Sequence, residues 1–313
     1  MTAHTLKLKL LTSFLLISFA LLASNAVFAA KNAETPATVP VTAVVTVLGP
    51  KYTAPPPIGK DDVVVHAKNQ RQDVTTWAPA QGERADLHLA ILIDDGADVG
   101  PRLNELRHFV QTQPPSTSVG VFYASNGLTV TAAPFSTNHD DVAKKVRVTL
   151  GPSSTSVSIY LSLIDVIKKL QPMTGRREIL VISDGHDRLR GDLESPDVDN
   201  VMSSAQKTGV VIHTLYTRVG RRLGSIRQNL AQSNLVKVAQ ASGGQDFFEG
   251  LDTPVSYTPF LNQLDEVLHN QYVLTFTAPL SAKKHGDFRA LKVTTEQKDV
   301  SITAQSDVFV PGP

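Results

Sequence analysis

The stretch Leu87-His-Leu-Ala-Ile-Leu-Ile-Asp94-Asp-Gly-Ala-Asp98 decides the fold of this chain. It begins with a nearly continuous apolar run and ends in three carboxylates around one glycine. An uninterrupted run of this kind is typical of a strand buried on both faces, as in a parallel sheet covered by helices. In open α/β sheets, ligands bind at the carboxyl ends of the strands, so the position of the acids indicates a binding site.

A second stretch, Arg177-Glu-Ile-Leu-Val-Ile-Ser-Asp184-Gly-His-Asp187, repeats this design. If the two strands lie side by side, Asp94 and Asp184 meet at one edge of the sheet. A hydroxyl-rich segment, Gly-Pro-Ser-Ser-Thr-Ser-Val-Ser at positions 151–158, lies between them in sequence. Carboxylate and hydroxyl oxygens are hard ligands of the kind that Mg²⁺ accepts.

These three segments resemble the metal-ion-dependent adhesion site of the von Willebrand factor type A family, over roughly residues 87–271. The resemblance implies a metal site, and the residues that match its ligand positions and carry oxygen ligands are Asp94, Asp98, Thr155 and Asp184. Gly96 has no hydroxyl where the family uses a serine, and Asp98 replaces a second serine with a charge. We therefore expect weak, mainly charge-driven binding of Mg²⁺ or Ca²⁺.

Other interpretations of these residues stay open. Asp94 and Asp184 could each cap the helix or loop that follows instead of holding a cation, and Thr155 taken alone is typical of a helix cap. Ser183, Asp184 and His186 are the residue types of a hydrolytic triad, but they lie too close together in sequence for its geometry. The chain also has no G-x-S-x-G elbow.

Composition excludes some classes of function. The 313 residues carry 30 Lys and Arg against 29 Asp and Glu, so no excess positive charge indicates nucleic-acid binding. The chain contains no cysteine, so its stability must come from packing rather than from disulfides.

The first 29 residues have the pattern of a secretory signal peptide. Lys7 and Lys9 precede an apolar segment, Leu10 to Ala23, and Val27-Phe28-Ala29 is a small-residue cleavage site. The apolar segment is shorter than the roughly 20 residues of a spanning helix. We expect an exported protein, periplasmic or secreted, with no transmembrane segment after cleavage; the alternative is an uncleaved N-terminal anchor.

The periodicity predicts a doubly wound, mostly parallel α/β sheet at 85–271, between an N-terminal β segment at 30–84 and C-terminal strands at 272–313. Because neither set of flanking strands can bury a face alone, we expect the two sets to pair in a small β-sandwich. The passage Asn270-Gln271-Tyr272, which enters the C-terminal strands, is similar to exported acidobacterial members of the family.

The resemblance implies a non-enzymatic binding module that recognises a protein partner through the loops at the carboxyl ends of the strands. The first alternative is a metal-free structural scaffold. The second is a metal-dependent hydrolase that uses Asp94, Asp98 and Asp184.

Overall fold

A computed structural model describes residues 37–151, 157–190, 195–220 and 224–313. The predicted signal peptide and the candidate ligand Thr155 lie outside these ranges. Val39–Pro313 forms one compact unit.

The described part of the chain has β-strands at both ends and alternating strands and helices between them, as the sequence predicts. The strands are β1 (Thr38–Leu48), β2 (Val63–Ala67), β3 (Gln70–Pro79), β4 (Leu87–Asp94), β5 (Thr117–Ser125), β6 (Leu128–Ser136), β7 (Arg176–Ser183), β8 (Val211–Tyr216), β9 (Asp246–Phe247), β10 (Gln271–Pro279), β11 (Asp287–Thr295), β12 (Ser301–Ala304) and β13 (Asp307–Val310). The α-helices are α1 (Leu103–Gln111), α2 (His139–Lys145), α3 (Ile159–Leu170), α4 (Asp197–Thr208), α5 (Ser225–Ser242) and α6 (Thr258–His269). Single 3-10 turns occur at Pro50–Tyr52, Lys60–Asp62, Gly82–Arg84 and Gly100–Arg102.

The central stretch forms strand β4 of a six-stranded sheet with the order β6-β5-β4-β7-β8-β9. The pairs β4–β5, β4–β7, β7–β8 and β8–β9 are parallel, and only β6, at the edge beside β5, is antiparallel. The turn between β5 and β6 has positive φ at both Asn126 (50°) and Gly127 (75°), as a two-residue hairpin requires. The predicted doubly wound, mostly parallel sheet is confirmed.

Both faces of this sheet are covered, which explains the unbroken apolar run. Leu89, Ile91 and Ile93 of β4 belong to a cluster that α1, α2 and α6 complete from one side. The alternate residues Ala90 and Leu92 belong to a second cluster with side chains of α3, α4 and α5. Each large aliphatic side chain buried in this way contributes roughly 1.5–3 kcal/mol.

The remaining strands form a second sheet in which N- and C-terminal strands are mixed. Its order is β12-β1-β10-β3-β2-β11-β13, and the pairs β1–β12, β3–β10, β2–β11, β2–β3 and β11–β13 are antiparallel. The expected pairing of the two sets is confirmed: β10 lies between β1 and β3, and β11 lies between β2 and β13. The seven strands share one apolar cluster and follow one another in a single hydrogen-bonded order, so the sandwich is confirmed only in part.

A buried polar network connects the two sheets at the start of β7. Arg176 donates to the carbonyl oxygen of Leu268 (2.9 Å) and to Gln271 Oε1 (2.6 Å). His213 Nδ1 accepts from the N–H of Gln245, so Nε2 carries the ring proton that faces Glu178 Oε2 at 2.7 Å. The network fixes the beginning of β10 against the base of the α/β sheet.

Within the described ranges, the longest apolar helices are too short or too polar to cross a membrane.

Candidate functional site

Asp94 and Asp184 meet where the sheet order reverses. The chain passes from β4 to β5 and β6 on one side and then returns to β7, which pairs with β4 in parallel up to Ile93 opposite Ile182. Such a reversal opens a crevice outside the carboxyl ends of the strands, where α/β proteins bind ligands. We refer to this side of the sheet as the C-terminal edge and to Asp94 with Asp184 as the carboxylate pair. Their predicted proximity is confirmed.

Asp94 is fully buried at the end of β4. Its Oδ1 accepts from the N–H of Gly96 (3.0 Å), and its Oδ2 accepts from Ser183 Oγ (3.0 Å). Burial and the neighbouring Asp184 raise the pKa of Asp94 to about 6, although Arg188 and the two hydrogen bonds act in the opposite direction. The hydrogen bonds and Arg188 therefore offset only part of the cost of burying the Asp94 charge.

Arg188 supplies the positive charge that faces the carboxylate pair. Its Nη1 and Nη2 donate to Asp184 Oδ1 (3.0 Å) and Oδ2 (2.6 Å), and Nη1 lies 3.8 Å from Asp94 Oδ2. Asp184 also accepts from the backbone N–H groups of His186 (3.0 Å) and Val219 (3.3 Å). The sequence interpretation missed Arg188, although an arginine four residues after a buried aspartate is a signal that could have indicated it.

The structure separates the other predicted ligands from this pair. The side chain of Asp98 is 68% exposed and lies 3.7 Å from Arg102. Gly96 contributes only its backbone N–H, and Thr155 falls in the segment 152–156, outside the described residues. Of the four predicted metal ligands, the described structure brings together two.

The described donors at the carboxylate pair do not fit a divalent cation. All four oxygens of the pair already accept hydrogen bonds from N–H or O–H groups, and the Arg188 guanidinium that donates to Asp184 lies 3.8 Å from Asp94. Among the described residues, no group of three or more His, Cys, Asp or Glu side chains could hold a metal. Mg²⁺ needs near-octahedral oxygen ligands at about 2.1 Å. The metal site stays a prediction, and the geometry of the two aspartates argues against it.

Asp187 stabilises the loop after β7. Its Oδ2 accepts from the hydroxyls of Ser158 (2.8 Å) and Ser195 (3.1 Å), and its Oδ1 accepts from the N–H groups of Leu189 and Arg190. Because hydroxyl and amide donors occupy both oxygens of this carboxylate, Asp187 serves as a support for the loop.

Asp95 fixes a second loop of the C-terminal edge. Its carboxylate is buried and accepts from Arg147 Nη1 and Nη2 (2.8 and 2.9 Å) and from the N–H of Leu150 (3.1 Å). The Arg147 guanidinium lies 3.8 Å from the centre of the Tyr123 ring. Since 52 residues separate Asp95 from Arg147, no local sequence pattern could have indicated this contact.

Most of the exposed large hydrophobic side chains of the described residues surround this edge. They lie in segments that follow strand ends or that pack on the loop after β4, and Val255 (86% exposed), Ile226 (73%) and Leu150 (66%) are the most exposed. The complete set, which we name the apolar rim, is Leu128, Val148, Leu150, Leu189, Ile226, Leu230, Phe248 and Val255. The edge therefore combines a charged, hydrogen-bonded centre with an apolar surround.

Comparison of the sequence with protein-family models and with curated proteins gives no match. Solved structures give matches of low similarity. An aerotolerance-related membrane protein from Bacteroides fragilis is 16% identical with a TM-score of 0.41, over 58% of this chain and 98% of that one. A von Willebrand factor type A protein from Catenulispora acidiphila is 8% identical with a TM-score of 0.39, over 89% and 75% of the two chains.

The ArnB paralog VWA2 from Sulfolobus acidocaldarius is 11% identical, with a TM-score of 0.37 over 88% of this chain and 76% of that one. At these levels of similarity the matches carry no argument about function. The α/β class stands on the strand order and register described above.

Proposed function

We propose that this chain is an exported, non-enzymatic binding module that recognises a protein partner through the loops at the C-terminal edge. The observation that carries the proposal is the apolar rim around a buried, charged centre. Exposed apolar side chains concentrated in one region are typical of protein interaction sites, and interfaces combine apolar and polar contacts. Described residues of these loops are anchored by hydrogen bonds, Asp95 to Arg147 and Asp187 to Ser158 and Ser195, which lowers the cost of ordering them on association.

The test compares a rim variant with a control on the other sheet. In the rim variant, Leu150→Ser is combined with Val255→Ser; in the control, Phe288→Ser changes a side chain that is 42% exposed on strand β11 of the second sheet. All three positions are exposed, where substitutions are rarely severe, so all three proteins should fold. Each is used for a quantitative pull-down from the native envelope fraction.

We expect the wild type and the Phe288→Ser control to enrich the same partner, and the rim variant to lose it at least about tenfold, which corresponds to roughly 1.4 kcal/mol. Equal enrichment by all three proteins would place the binding surface elsewhere or leave only the scaffold hypothesis. A parallel hydrolase screen with Mg²⁺ should show no turnover. Activity that Asp184→Ala abolishes would favour the hydrolase alternative instead.

Export is the part of the proposal that rests on the sequence alone. The charge, apolar core and cleavage pattern of residues 1–29 lead us to expect a mature protein that begins at Ala30. Mass spectrometry of envelope-located protein checks this, and an intact Met1 start would contradict cleavage.

A further inference from the structure

The carboxylate pair needs a positive charge, because two carboxylates buried side by side repel each other and have lost their contact with water. The exposed fraction is 0% for Asp94 and 4% for Asp184. Asp98, which the family resemblance places among the ligands, points to Arg102 at the surface and adds its charge there.

Arg188 meets this need from within the chain. Its planar guanidinium forms two parallel hydrogen bonds to Asp184, the geometry for which arginine is better suited than lysine. The same Nη1 lies within ion-pair distance of Asp94. The side chain is only 18% exposed, so solvent screens these interactions weakly.

The loop around Arg188 holds the guanidinium in place. The backbone N–H of Arg188 donates to the carbonyl oxygen of Val157 (2.8 Å), and Nη2 donates to the carbonyl oxygen of Val219 (3.3 Å). Tyr160 Oη donates to the carbonyl oxygen of Gly185 (2.6 Å) and fixes the turn that precedes the arginine. These contacts fix the backbone on which Arg188 stands, and the guanidinium cannot leave the pair without breaking its hydrogen bonds to Asp184 and Val219.

We propose that Arg188 is the permanent cation of the Asp94–Asp184 site and takes the place that the family resemblance gives to a divalent metal. A metal ion at the pair would have to displace the guanidinium or lie beside it, and two positive charges at that separation repel. The carboxylate pair and Arg188 are therefore held in one arrangement with or without metal. This inference stands independently of partner binding.

The test measures thermal unfolding of the purified mature chain with EDTA, with Mg²⁺ and with Ca²⁺. For the wild type we expect the same unfolding temperature in all three conditions and no heat of metal binding by isothermal titration. Arg188→Ala leaves the two carboxylates without their counter-charge, so in EDTA its unfolding temperature should fall by roughly 10 °C. Mg²⁺ or Ca²⁺ should restore part of that loss, because the vacated position can then accept a cation.

Two further variants keep the inference testable if Arg188→Ala does not fold. Arg188→Ala combined with Asp184→Asn removes the charges of Arg188 and Asp184 and leaves only that of Asp94. This double variant should be more stable in EDTA than Arg188→Ala alone. Arg218→Ala, the control, removes an arginine of the same edge that pairs with Asp252 at the surface, and it should show no response to metal. Either of two results would overturn the inference. One is a wild-type unfolding temperature that depends on metal; the other is wild-type metal binding that is as tight as binding by Arg188→Ala.

Discussion

At the scale of single residues, Arg147 fixes the loop that carries Val148 and Leu150 of the apolar rim. Replacing it with Met leaves the buried Asp95 without its counter-charge and removes the contact with the Tyr123 ring. A fully buried pair broken in this way costs about 3–5 kcal/mol. Because the Arg147 side chain is 36% exposed and partly screened, we expect about 2 kcal/mol for Arg147→Met.

The matched control is Arg147→Lys, which keeps the charge but loses the second hydrogen bond, and we expect about half of that loss. Urea unfolding of the three proteins measures both effects. Equal stability of Arg147→Met and the wild type would show that the Asp95 contact does not hold the loop.

At the scale of elements, the turn after β7 and helix α5 lie in direct contact at Gly185. This residue has a φ of +75°, and a Cβ added there would lie 2.4 Å from the carbonyl oxygen of Ala231 and 2.7 Å from Leu235 Cγ. Gly185→Ala therefore combines backbone strain with a displacement of α5, and we expect a loss of roughly 3 kcal/mol.

Gly250→Ala separates the backbone strain from the steric contact with α5. Gly250 also has a positive φ, +62°, but no atom lies within 4 Å of the added Cβ. That substitution should cost only the backbone strain, about 1 kcal/mol. If chemical denaturation gives equal losses for the two variants, the contact with α5 is not what requires a glycine at position 185.

At the scale of the whole molecule, the second sheet depends on both ends of the chain. Strand β10 lies between β1 and β3, β11 lies between β2 and β13, and β12 has only β1 as its neighbour. Deletion of residues 41–77 would remove both neighbours of β10 and leave its unpaired backbone groups exposed, and we expect the truncated protein to aggregate. Light scattering after size-exclusion chromatography, with the chain from Ala30 as control, measures this. A monomeric truncation with an unchanged unfolding temperature would contradict the dependence.

The sequence by itself determined the α/β sheet and the position of its two acids at the carboxyl ends of strands. The apolar runs that end at Asp94 and Asp184 are local signals of buried strands, and parallel strands have their carboxyl ends at one edge of the sheet, so the acids meet once the two strands are neighbours. The turn at Asn126-Gly127 is also local in origin, because Asn and Gly are residues that adopt the positive φ angles it needs.

Only the tertiary structure decided what surrounds the two acids and how the flanking strands combine. Arg188 became visible as the counter-charge once the loop path was known, and the contact of Arg147 with Asp95 joins residues that no periodicity relates. The flanking strands were predicted as strands, but the alternation of N- and C-terminal strands in one sheet depends on pairing between distant segments. Local patterns fix which residues form an element and which face it buries; the neighbours of that element are selected by the packing of the whole chain.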